Sequence, residues 1–181
     1  MNVNKGTLYW ITGLSGSGKT SIAKIVYKYY RKSCSNIIML DGDILREILG
    51  NKYSNYEKKS RKNIAMQYVR LAKLFTDQGI SVVFATISMF DEVREWNRTN
   101  IKKYIEIYIK VPFQKILEKD KNQLFSKALK EEKKNVVGID ITIEEPKKPD
   151  IILINDMKLP INGLAKDLIE KINLIKKKYE K

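Results

Sequence analysis

Residues 13–20 read GLSGSGKT, and no other stretch restricts so narrowly what this chain can fold into. Gly13, Gly18, Lys19 and Thr20 meet the spacing G-x-x-x-x-G-K-[ST], with the apolar run LYWIT before them and SIAKIVYKYY, spaced as a helix, after them. Glycines leave room for backbone N–H groups to converge on an anion, and the helix that follows points the positive end of its dipole at the same place. Strand, loop and helix together make a nest for the oxygens of a nucleoside triphosphate. Within it Lys19 reaches the β and γ phosphates and offsets charge as the γ-phosphoryl group departs, and the Thr20 hydroxyl suits Mg²⁺. Leu14, Ser15, Gly16, Ser17 and Ser21 complete the expected ATP site, Ser15 and Ser17 by keeping the loop small and polar.

Apolar, β-rich runs at residues 7–12, 36–40, 81–86, 104–110 and 150–154 have the length of buried strands. Helical spacing follows or separates them at 19–31, about 57–77, 93–102, 113–118 and 159–178. Strands alternating with helices predict a mostly parallel five-stranded sheet covered on both faces, the α/β three-layer sandwich of P-loop NTPases. With 181 residues, one domain over 1–181 is expected. Residues 119–149 interrupt the alternation: they are dense in charge, carry Gly138 and end in EEPKKPD, which predicts a mobile lid returning to the last strand.

The 35 Lys and Arg outnumber the 21 Asp and Glu, for a net charge of +14. Such an excess favours anionic partners. The basic residues are nevertheless scattered rather than gathered into one stripe with interleaved aromatics, so a solvated surface without a specific nucleic-acid partner is expected. Cys34 is the single cysteine and histidine is absent, which excludes an internal disulfide or a thiolate metal site and leaves general-base chemistry to carboxylates. No window approaches the roughly 18 apolar residues of a membrane span, and a cytoplasmic location is expected.

A nucleotide loop alone does not separate a kinase from an ATPase, a GTPase switch or a nucleic-acid motor. The segment LDGDILRE places Asp41 and Asp43 at the carboxyl end of the second run, where open parallel sheets bind ligands. A carboxylate there holds a Mg²⁺-bound water or takes the proton of an attacking hydroxyl; Asp41 alternatively caps the helix that follows. After the third run, DEVREWNR brings Arg94 and Arg98 to the same edge, either as ligands of acceptor phosphates or as residues lining a helix.

Taken in order, GLSGSGKT, LDGDILRE, the pair Asn63 and Ile64, LAKLFTDQG, ATIS and GIDITIEEPKKPD resemble adenylyl-sulfate kinases over about residues 6–155. The resemblance implies an enzyme that moves the γ-phosphate of ATP in line to the ribose 3′-hydroxyl of a small nucleotide, often as a homodimer. It implies that Asp43 is the catalytic or metal-organising carboxylate. It also implies that Asp41, Arg46, Asn63 and Lys134 serve the acceptor, with Ile87 and Ser88 lining its pocket.

The chain departs from the family on the acceptor side. Where the family has D-R three residues and more before its Asn, Lys59 and Ser60 stand here, with Arg61 displaced by one, and Ala65 and Met66 replace the arginines after N-I. The family's S-P-Y-R reads Ser88, Met89, Phe90, Asp91; its R-D-P-K-G-L-Y reads Lys119, Asp120, Lys121, Asn122, Gln123, Leu124, Phe125. In the lid, K-G-F-T-G-I-D becomes Lys134, Asn135, Val136, Val137, Gly138, Ile139, Asp140. The aromatic that stacks on the acceptor's adenine is gone, and such stacking is worth about 1–3 kcal/mol. These changes resemble a divergent branch of the family that includes kinases of cytidine diphosphoramidate in capsule phosphoramidate synthesis. That acceptor is preferred over adenylyl sulfate, with Tyr53 and Tyr56 as candidates to stack on a pyrimidine. The rivals from other classes are an ATP-switched nucleic-acid-binding protein, motivated by the net charge, and an inactive partner subunit, weakened by the presence of Lys19, Thr20 and Asp43.

Overall fold

The five apolar runs become β1 (Leu8–Thr12), β2 (Ile37–Asp41), β3 (Ser81–Thr86), β4 (Tyr104–Lys110) and β5 (Ile151–Ile154) in a computed structural model that describes residues 4–50, 57–120 and 123–179. All pairings are parallel and the spatial order is β2-β3-β1-β4-β5, so β1 lies in the centre, with Leu8 opposite Val82 on one side and Tyr104 on the other. The sheet is the expected one, and every expected strand bound holds to within one residue.

Alternation along the strands explains why these runs read as continuously apolar. Tyr9 and Ile11 of β1 face α1 (Lys19–Arg31), and α7 (Ile161–Tyr179) packs into the same cluster through Leu164, Leu168 and Ile172. Leu8 and Trp10 face the other way, towards a cluster built from Ile64, Tyr68, Val69 and Ala72 of α3 (Lys58–Asp77) and Val93 of α4 (Asp91–Asn100). With helices on both faces, no strand position in the centre meets water, and each fully buried large side chain contributes about 1.5–3 kcal/mol.

Two helical bounds move for local reasons. α4 begins at Asp91 rather than 93, because Asp91 and Glu92 suit the positive end of its dipole. α7 begins at Ile161, directly after Pro160, which has no N–H to lose at a helix start. Three further helices are short: α2 (Gly42–Ile48), α5 (Phe113–Glu118) and α6 (Leu124–Leu129). The last of these lies within residues 119–149, the segment expected to act as a lid, which is therefore partly helical. Among the described residues no helix is long and apolar enough to cross a membrane.

Candidate active site

The glycine loop sits between β1 and α1, with its shape set from beneath. Gly13 has φ +152°, and a Cβ there would lie 2.5 Å from the Ile109 carbonyl oxygen of β4, so only glycine lets the chain leave the sheet at this point. Ser17 is buried, and its carbonyl accepts a 3.0 Å hydrogen bond from the side-chain amide of Asn155, just past β5.

Lys19 folds its ammonium onto the Leu14 carbonyl at 2.7 Å and is 9% exposed. Burial lowers its pKa to about 8, against the opposing pull of Asp43 and Asp41. Thr20 donates its hydroxyl to Asp41 Oδ2 at 2.7 Å, while Asp41 Oδ1 accepts the Asp43 N–H at 2.9 Å and caps α2. The cap and the ligand readings of Asp41 are thus compatible, since one carboxylate oxygen serves each partner. Donation to Asp41 leaves the lone pairs of the Thr20 oxygen available to a cation. Among the described residues no group of three or more carboxylate, thiol or imidazole side chains could hold a metal unaided. Thr20, Asp41 and Asp43 do present the hard oxygen donors that Mg²⁺ shares with substrate phosphates.

Above this loop opens a cavity of about 950 Å³ at the carboxyl ends of β2 and β3. Ser15, Gly16, Gly18, Lys19, Thr20 and Ser21 form its nucleotide floor, and Asp41, Asp43 and Arg46 rise beside it. Ile87 and Ser88 line the wall between β3 and α4, and Lys134 reaches in from the lid. Gly13, Leu14 and Ser17 shape the loop without lining the cavity. Lys19, Arg46, Arg61, Lys119, Lys133 and Lys134 outnumber Asp41, Asp43 and Asp120 on the walls, a balance suited to polyanionic ligands.

Asn63 is the exception among the residues expected to serve the acceptor. It is exposed and does not line the cavity; Arg61, Ile64, Ala65 and Tyr68 do. These four follow the i, i+3, i+4, i+7 spacing of one helix face, and Asn63 falls off that face. Of the N-I pair, Ile64 stands on this face and Asn63 does not; Arg61 stands on it too. Arg61 also donates to the Asn135 carbonyl at 2.9 Å, joining α3 to the lid. The spacing of Ile64, Ala65 and Tyr68 is legible in the sequence, but that this face meets the cavity and carries Arg61 is not.

Arg94 and Arg98 resolve to their structural alternative. Neither lines the cavity. Arg94, 4% exposed, pairs with Asp91, lies 3.3 Å from Glu106 Oε1 and donates to the Glu144 carbonyl. Arg98 contacts Glu106 at 2.8 Å and Asp150 at 3.1 Å. Burial of Glu106 pushes its carboxyl pKa up, against the pull of both arginines.

In the lid, Val136 is 3% exposed and packs into the core. The aromatic residues on the cavity wall are Tyr68, Phe90 and Phe125; Tyr53 and Tyr56 lie outside the described residues. Asp140 accepts hydrogen bonds from the Asn135 and Val136 N–H groups, and Gly138 N–H donates to the Ile141 carbonyl at 2.9 Å. These bonds turn the loop back on itself, and its Gly138 lies against Leu14 of the glycine loop.

Comparison with known proteins places this geometry. The Adenylylsulphate kinase family profile matches residues 5–154. A cytidine diphosphoramidate kinase of Campylobacter jejuni is 40% identical over 175 residues, 97% of each chain. An adenylyl-sulfate kinase of Thermodesulfovibrio yellowstonii is 38% identical over 168 residues, 91% of this chain and 83% of that protein. The solved structure of Mycobacterium tuberculosis APS kinase CysC in complex with AMPPNP and APS aligns with a TM-score of 0.82 at 31% identity, over 93% of this chain and 98% of that one. With this profile matched over most of the chain and relatives of this identity and coverage, the chain belongs to the adenylyl-sulfate kinase family of ATP-dependent phosphotransferases.

Proposed function

We propose that this kinase transfers the γ-phosphate of ATP to the ribose 3′-hydroxyl of cytidine diphosphoramidate. The observation that carries the choice of acceptor is Val136: the lid presents a buried valine where an adenine would need an aromatic face. The near full-length similarity to the Campylobacter jejuni cytidine diphosphoramidate kinase supports the same acceptor. Adenylyl sulfate is the second reading, supported by the similarity to adenylyl-sulfate kinases.

In this reading the loop amides and Lys19 hold the triphosphate, and Lys19 leaves the Leu14 carbonyl for the phosphate oxygens. Asp43, exposed at the start of α2, accepts the proton of the attacking hydroxyl, and Arg46, Arg61 and Lys134 hold the acceptor's anionic groups. Thr20 with Asp41 and Asp43 would hold Mg²⁺, which supplies charge neutralisation at the β and γ phosphates. Positioning does most of the catalysis, and closure of the lid excludes water that would otherwise hydrolyse ATP. The site is carried by one domain that works in the cytoplasm, as a homodimer by analogy with the family.

The test is product identification with labelled ATP and Mg²⁺ against cytidine diphosphoramidate, adenylyl sulfate and CDP in parallel. The expected result is label in the 3′-phosphorylated cytidine product, abolished by Lys19→Ala. Faster transfer to adenylyl sulfate would hand the assignment to the second reading.

A further inference from the structure

Glu144 joins three segments that are distant in sequence. Its N–H donates to the Met89 carbonyl at 3.2 Å, and its own carbonyl accepts from Arg94 at 2.6 Å. Its carboxylate has a different partner on each oxygen: Oε2 accepts the Asp91 N–H at 2.8 Å, and Oε1 lies 3.0 Å from the Lys58 ammonium. Asp91 opens α4, whose N-cap residue Phe90 supplies no side-chain acceptor, so Glu144 caps that helix from 53 residues away. Lys58 opens α3. The charged groups around this carboxylate are Lys58, Asp91, Arg94 and, through Asp91, Lys147 at 3.3 Å. The Asp91 N–H is the foremost of the influences that hold the Glu144 carboxyl below its usual range, so it is charged at neutral pH.

Each joined segment carries part of one side of the cavity. α3 brings Arg61 and Ile64, the β3–α4 connection brings Ser88 and Phe90, and the lid brings Val136 and Thr142. Glu144 itself does not line the cavity, and its partners Met89, Asp91, Arg94 and Lys58 all lie outside the glycine loop. We propose that Glu144 is a positioning residue that assembles the acceptor half of the cavity while leaving the ATP half unchanged. The proposal rests on the reading that this half receives an acceptor nucleotide.

Two measurements test it, one of which does not depend on that reading. In hydrogen exchange on the full chain, Glu144→Ala should speed exchange of the amides at 89–93 and 136–142 together, with the amides at 13–21 unchanged. Faster exchange confined to residues next to 144 would overturn the assembly role whatever the acceptor is. In steady-state kinetics with cytidine diphosphoramidate and adenylyl sulfate each tried as acceptor, Glu144→Ala should raise the acceptor KM roughly tenfold and change the ATP KM less than about twofold. Glu144→Gln keeps an oxygen for the Asp91 N–H and loses the charge facing Lys58, so it should raise the acceptor KM only about threefold. Lys58→Met should match it, and the double variant should be no worse than either single one. An equal rise of both KM values, or an acceptor KM that stays put in all three single variants, would overturn the proposal.

Discussion

Lys19 is the residue whose chemistry is most exposed to measurement. In the free protein it is buried, and its pKa stands at about 8 because burial disfavours the charge. A triphosphate brought to its ammonium favours the protonated form and moves the pKa up. Near pH 7 the lysine is charged before and after binding, so no proton moves; at about pH 9 the free form is mostly neutral, and binding should take up nearly one proton. Calorimetry of an ATP analogue in two buffers of different ionisation heat should therefore show uptake that grows from about pH 7 to pH 9. An uptake independent of pH would mean that the phosphates do not meet this lysine. Asp41 likewise serves two partners at once, because one carboxylate oxygen caps α2 and the other accepts the Thr20 hydroxyl.

At the scale of elements, legibility follows the apolar spacing of a segment more than its length. α1 and α5 occupy the spans that spacing gives, since each presents its apolar side chains to a sheet or cluster at helical intervals. α2 and α6, of seven and six residues, are held by what precedes them: Asp41 caps α2, and Asp120 accepts the Leu124 and Ser126 N–H groups at the start of α6. The lid meets the glycine loop at Gly138, which has φ +96° and would bring a Cβ to 3.1 Å from Leu14 Cδ2. Gly138→Ala should therefore cost about 1–2 kcal/mol in denaturant unfolding through the left-handed backbone alone, with further loss of transfer activity if Leu14 is pushed. An unchanged unfolding midpoint would show that the lid does not need this conformation.

Across the whole molecule, the two sheet faces differ in kind. The face towards α1 and α7 is closed by apolar side chains, whereas the face towards α3 and α4 also buries Glu106, 3% exposed, with Arg94 and Arg98 on it. Removing one member of such a set leaves charge uncompensated in the interior, so Arg94→Met should destabilise the protein by about 3–5 kcal/mol in chemical denaturation. A loss below about 1 kcal/mol would mean that water reaches Glu106. The sequence by itself determined the sheet, the glycine loop and the candidate carboxylates, because strand runs, loop spacing and the order of motifs are local properties of the chain. Only the tertiary structure decided which side of α3 faces the cavity, that Arg61 rather than Asn63 stands on it, that Arg94 and Arg98 serve the fold, and that Glu144 joins α3, α4 and the lid. Those outcomes depend on helix rotation and on which side chains meet in three dimensions, several of them about fifty positions apart, and local spacing specifies neither.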